Sequence, residues 1–222
     1  MASPAVAVSS QTSEVETRIR IACLTCIERW GINKTSLEDV AREAGCSRAT
    51  VYRLFPGGKE SLVQAVADAE ATTFFAALSD ELKEADTLED RLILGVGHAL
   101  RRLIGHPALR ALLTYEPDAP AIHILAPSMD GLVRPGTIFT AAQLAPWFDR
   151  AQALEAAERI VRIVLSYASS PSERFDPYDE DSVKRLIETF IMPGIAMLAR
   201  EPAQDFNTRI SIPRASSVLR PK

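Results

Sequence analysis

The stretch Thr35-Ser36-Leu37-Glu38-Asp39-Val40-Ala41-Arg42-Glu43-Ala44-Gly45-Cys46-Ser47-Arg48-Ala49-Thr50-Val51-Tyr52-Arg53-Leu54-Phe55-Pro56-Gly57-Gly58 decides how this chain is read. It opens with a capping signature, Thr35-Ser36-Leu37-Glu38, in which a hydroxyl meets the backbone amide three residues on. The stripe Leu37, Val40, Ala41, Ala44 then predicts a short helix that Gly45 ends. Ser47 caps a second short helix to Phe55, and Pro56-Gly57-Gly58 breaks it. Two capped short helices bent at a glycine have the size and punctuation of a helix-turn-helix.

On the second of these helices, Val51, Leu54 and Phe55 share one side and are expected to pack inward. Ala49 and Arg53 point nearly the other way, flanked by Thr50 and Tyr52, with Arg48 at the helix start. Such a face suits a DNA groove. Arginine forks onto a guanine edge or pairs with phosphate, alanine meets a thymine methyl, and hydroxyls reach phosphates or bases. The amide ends of both helices also suit phosphate.

Upstream, Ser13-Glu14-Val15-Glu16 predicts the start of a first helix with inward stripe Ile19, Ala22, Cys23, Cys26, Ile27 and Trp30, stopped by Gly31. Residues 1–11 read as a flexible tail. Downstream, helices are expected over about Lys59–Leu82, Thr87–Leu103, Pro107 to before Pro117, Thr137–Arg150 with a break at Pro146, Leu154–Ser169 and Asp181–Arg200. The Pro- and Gly-rich stretch Glu116–Gly136 is expected to be irregular, and 201–222 to be a second tail. No segment alternates at period two. The fold class is therefore all-α, with about nine helices: an N-terminal domain over 12–72, with its motif at 36–55, and a helical domain over 73–200.

Charge neither demands nor forbids nucleic acid. The chain of 222 residues carries a net −4, but residues 1–60 alone are at +1, and the rest are acidic. Motif, not charge, carries the DNA reading. No apolar run approaches the roughly 20 residues of a membrane helix, and the opening residues lack a basic signal-peptide region. A cytoplasmic location with no membrane partner is expected.

The residues from Ala41 to Pro56, with Ala22-Cys23 through Gly31 before them and Lys59-Glu60-Ser61-Leu62 after, resemble the signature of the TetR family of bacterial transcriptional regulators. The match covers about 50 residues. It implies a homodimer whose reading helices enter successive major grooves of a palindromic operator. It further implies a divergent C-terminal domain that binds a small-molecule effector, with repression relieved by that effector. The DNA-contact set so implied is Thr35, Ser36, Ser47, Arg48, Ala49, Thr50, Tyr52, Arg53 and Lys59. The chain departs from the family at three points. Leu54 stands where His or Tyr is usual, one extra residue separates Phe55 from Lys59, and Glu38 replaces a basic or neutral side chain.

The middle helices supply apolar residues for a core and for any effector cavity. The candidate pocket residues are Phe75, Val96, Leu100, Leu103, Leu113, Tyr115 and Trp147, with His98, His106, Tyr115 or Arg102 as polar anchors. The expected effector is hydrophobic or acyl-type, and no cofactor is expected. The last two helices are strongly apolar, and Ile160, Val164, Leu186 and Phe190 are taken as the dimer interface.

The residues also offer two rival readings. Cys23-x-x-Cys26 with Cys46 could make a redox- or metal-responsive regulator. Yet Cys23 and Cys26 lie on the inward stripe, where a thiol behaves as a small hydrophobe, and no metal is expected. An enzyme is not expected either. The chain lacks Gly-x-Ser-x-Gly, phosphate-loop and His-Glu-x-x-His patterns, and Gly95-Val96-Gly97 lacks the further glycine of a dinucleotide site.

Overall fold

The computed structural model describes residues 4–108, 130–170 and 172–198, without the side chains of 4–12 and 130–132. Every regular element among them is helical. Helix α1 spans Pro4–Lys34, α2 Leu37–Glu43, α3 Arg48–Leu54 and α4 Gly58–Glu81. A 3-10 turn, Leu82–Glu84, leads to α5, Leu88–Gly105, capped by the Thr87 hydroxyl. Helix α6 spans Asp130–Leu144 and α7 Arg150–Ser169. The last helix, α8, runs as Glu180–Leu186, a π-turn Ile187–Ile191 and Met192–Leu198.

Several expected boundaries are corrected. Helix α1 begins at Pro4 and runs through Ser13, so the helix-start signal there caps nothing. Proline is tolerated in a first turn, and no breaker lies between it and Gly31. Gly31 does interrupt the helix, at φ 79°, before one last turn to Lys34. The box on α2 is one residue later than expected: the Ser36 hydroxyl accepts from the Asp39 amide at 3.2 Å, and Asp39 reaches back to the Ser36 amide. Helix α6 starts seven residues before the expected Thr137, inside the stretch taken as irregular, and it ends before Pro146. Pro135 lies within it, past the first turn, and so forfeits one backbone hydrogen bond of the helix. Helix α7 begins at Arg150 because Asp149 and Gln152 form a capping box. In α8 the helix widens into its π-turn just upstream of Pro193, whose ring would otherwise strike the carbonyl four residues back. Most of the helix expected from Pro107, and the tail 201–222, lie outside the described residues.

Two apolar clusters form the interior. The first unites α1 to α4 through Ile19, Cys23, Val40, Val51 and Leu62, all essentially inaccessible. The second unites α5 to α8 through Leu100, Leu144, Ala157 and Ile187. Helix α4 serves both: Leu62 and Val66 belong to the first cluster, and Phe74 packs on the second. Trp30, placed on the inward stripe by its spacing, is 40% exposed. Coming just before the Gly31 break, it lies where the stripe runs off the core.

Candidate nucleic-acid interface and ligand cavity

The bend between α2 and α3 is closed by backbone alone. Gly45 adopts φ 62°, its amide donates to the Arg42 carbonyl, and the Cys46 amide donates to the Ala41 carbonyl at 2.9 Å. This Schellman pattern needs a left-handed residue, which glycine supplies without strain. Ser47 then caps α3, accepting from the Thr50 amide at 3.1 Å. Val51, fully buried, and Phe55 fasten α3 to the head. Arg29 on α1 and Glu43 on α2 pair at 3.2 Å across the surface.

With α3 fixed so, Arg48, Ala49, Tyr52 and Arg53 all lie exposed on its outer side, as the sequence face anticipates. Arg48 Nη2 donates to the Tyr52 hydroxyl at 3.3 Å, and its guanidinium sits 5.4 Å from that ring's centroid. The two side chains brace each other beside Arg53. Thr50 is half-buried, with its hydroxyl 2.9 Å from that of Ser47. Ser36 and Ser47 are exposed caps.

Two members of the expected contact set are placed differently. Thr35 is buried, and its hydroxyl donates to the Gly31 carbonyl at 2.8 Å, closing the turn after α1. It does not face outward. Lys59 is half-buried at the start of α4, and its ammonium donates to the Asn33 carbonyl at 3.3 Å. The extra glycine, Gly58 at φ 69°, aims the lysine at the α1–α2 connection.

A cavity of about 330 Å3 lies along α4 and α5, within the range of small-molecule sites. Its wall includes Phe75, Val96 and Leu103, as expected from the sequence, with Phe139 of α6 stacked on Phe75 at 4.8 Å. The four other candidates are corrected or fall elsewhere. Leu100 is wholly buried in the core and off the cavity wall, just round α5 from the lining Val96. Trp147 is also off the wall, stacked against the Arg91 guanidinium at 5.3 Å. Leu113 and Tyr115 lie outside the described residues. The sequence reading missed that α1 itself helps wall the cavity, through Leu24, Ile27 and Ile32.

Of the polar anchors considered, Arg102 and His106 line the cavity, and His106 Nε2 lies 3.1 Å from Glu70. His98 does not line it. It is buried against Glu81, with its other ring nitrogen unpartnered among the described residues. Burial holds its pKa below the usual value, with Arg102 and Arg101 acting the same way against Glu81. Arg91 also lines the cavity and carried no signal in the sequence.

The interface residues taken from α7 and α8 are corrected in part. Ile160, Val164 and Leu186 are buried within the single chain, and Ile160 and Val164 line the cavity. They are on the inner stripe of their helices, packed within the chain. Phe190 is 69% exposed and Met197 66% exposed, on the outer face of α8 with Pro193 and Gly194 between them.

The cysteines are placed as apolar filling. Cys23 and Cys26 are buried in the head core, and Cys46 is half-buried. Burial, reinforced by Cys26, pushes the Cys23 thiol up to about 12, and burial also raises Cys26. Among the described residues no group of three or more His, Cys, Asp or Glu is set to hold a metal ion. No helix there is long and apolar enough to cross a membrane.

A braced, capped reading helix on a three-helix head, joined by α4 to a helical body, defines a helix-turn-helix transcription regulator. Residues 22–66 match the profile of bacterial regulatory proteins of the tetR family. Among solved structures, the TetR family repressor AlkX from Dietzia sp. strain DQ12-45-1b, implicated in biodegradation of n-alkanes, is similar at 27% identity and a TM-score of 0.61. The match covers 83% of this chain and 97% of that one. FadR from Bacillus subtilis, solved in complex with stearoyl-CoA, matches at 17% identity and TM-score 0.56, over 78% and 97% of the two chains. The fatty acid degradation regulator FadR from Bacillus halodurans matches at 15% and 0.55, over 83% and 94%. At these identities the FadR likenesses speak for the fold. A comparison with curated protein sequences finds no significant match. The head over residues 22–66 is thus of the tetR type, and the chain as a whole is similar in fold to a TetR family repressor.

Proposed function

We propose that this regulator represses transcription from a palindromic operator and is released by a small hydrophobic effector bound along α4 and α5. One observation carries the reading. The cavity is walled by α1 of the reading head as well as by the body, so its occupant touches the element whose position sets the two α3 helices. In this mechanism Arg48, Ala49, Tyr52 and Arg53 meet the major groove, and Ser36, Ser47 and Thr50 sit near phosphates at the helix starts.

A second copy covers the outer face of α8, centred on Phe190 and Met197, and places the heads about 34–36 Å apart, one DNA turn. Effector in the cavity spreads α4 from α1 and changes that spacing. DNA and effector thus oppose each other. The likeness to AlkX, a repressor implicated in n-alkane biodegradation, supports an apolar effector. So does the acyl thioester held by the Bacillus subtilis FadR, on the strength of shared fold.

The test is anisotropy of duplexes selected from random sequence by the purified protein, titrated with alkanes, fatty acids, acyl thioesters and aromatic compounds. A hydrophobic member of the panel is expected to weaken binding severalfold or more. Affinity unmoved by the whole panel would contradict the proposal.

A further inference from the structure

The cavity wall is mostly apolar, yet two arginines on it join none of the ion pairs among the described residues: Arg102, which is exposed to solvent, and Arg91, which is half-buried. Arg91, at the start of α5, donates from Nη1 to Gln143 Oε1 at 3.1 Å and from Nη2 to the Ala85 carbonyl at 2.7 Å. Trp147 stacks on its guanidinium at 5.3 Å. Its Nε is buried and has no hydrogen-bond partner among the described residues. Nor does Arg91 join any of the ion pairs found among them.

Both bonded partners are neutral, so they orient the guanidinium without cancelling its charge. A charge in apolar surroundings is costly until an opposite charge meets it. Each Nη carries two N–H groups and is given one bond here, so the guanidinium keeps donors that match the two oxygens of a carboxylate.

The rest of the wall fixes what hangs from that carboxylate. From Arg91 the cavity follows α5 past Leu92, Gly95, Val96 and Ala99 to Leu103. At the helical rise this is a run of about 18 Å, apolar but for the exposed Arg102 near its end. The one carboxylate on the described wall, Glu70, stands at the far end beside His106, about 22 Å along α5 from Arg91. It is too distant to neutralise the arginine or to repel an anion there.

Resting on the proposed effector site, we infer that the cavity takes a single-chain amphiphile with an ionised carboxylate head. The head lies on the Nη N–H groups of Arg91, the tail between α4 and α5. A neutral alkane or alcohol of equal length leaves Arg91 unmatched.

Calorimetric titration of the full-length protein with dodecanoate, 1-dodecanol and methyl dodecanoate at pH 8 tests this, alongside Arg91→Gln and Arg91→Lys. The wild type is expected to prefer dodecanoate by about tenfold or more, the scale of a charge-assisted hydrogen bond. Arg91→Gln erases that preference and leaves the neutral ligands within about threefold, while Arg91→Lys keeps part of it. Equal wild-type affinities, or a preference that survives Arg91→Gln, would overturn the inference. The wild-type ranking stands even if a variant fails to fold. If the neutral compounds bind equally well and release DNA, the effector site stands and only the carboxylate head falls. If none of the three binds, the carboxylate inference falls, and the effector site is decided by the wider panel.

Discussion

Arg53 is the residue on which the DNA reading turns. It is exposed, carries no intramolecular pair among the described residues, and stands beside the Arg48–Tyr52 clasp. If Arg53 reads a base edge, Arg53→Ala costs about 1–3 kcal/mol of operator binding and relaxes the preferred sequence. Mobility shifts on the selected duplex and its point variants measure both, and unchanged affinity would remove it from the contact set. Cys23 makes a prediction of a different kind. Its thiol ionises at about 9 in a free chain and near 12 in the fold. The stability this gives is fully present below pH 9 and is lost as pH rises toward 12. Denaturant unfolding between pH 8 and 10.5 should show a decline that is shallower in Cys23→Ala. The outward face of α3 was legible in the sequence because a helix turns by a constant angle per residue. Thr35 and Lys59 were not, since their orientation depends on the Gly31 and Gly58 backbones, which no periodicity records.

Among the elements, the α6–α7 contact is the tightest that glycine governs. A Cβ on Gly136 would lie 3.1 Å and 3.2 Å from the methyls of Val161, so the helices approach there as closely as a missing side chain allows. Gly136→Val should cost about 1–3 kcal/mol by overpacking, read from the denaturation midpoint, and no loss would show that the pair can part freely. This glycine was first read as part of an irregular stretch. Proline and glycine mark a turn only when nothing packs against them, and here α7 does. Helix α8 carries two apolar faces. Val183, Leu186, Ile187, Ile191 and Ile195 point inward, and Phe190 and Met197 outward. Spacing alone cannot say which face meets a second copy, which is why Leu186 and Phe190 were grouped together. Phe190→Arg is expected to yield monomers in sedimentation with little loss of fold, and an unchanged dimer would place the interface elsewhere.

For the whole molecule, the all-helical plan and the reading head were open to sequence because caps, breakers and a helical stripe are local signals. The cavity was half open. Phe75, Val96 and Leu103 carry the stripe, but the α1 wall and Arg91 arise where distant segments meet. That meeting is the basis of the regulatory account, because the effector and the reading head share α1 and α4. Linkage requires the effect to run both ways: whatever factor the effector takes from DNA affinity, DNA must take from effector affinity. The decisive measurement is calorimetric titration of effector into the free protein and into the protein saturated with its selected duplex. The account predicts weaker binding to the complex, by about 5–150-fold, equal to the loss of DNA affinity at saturating effector. Equal effector affinities in the two titrations would contradict it.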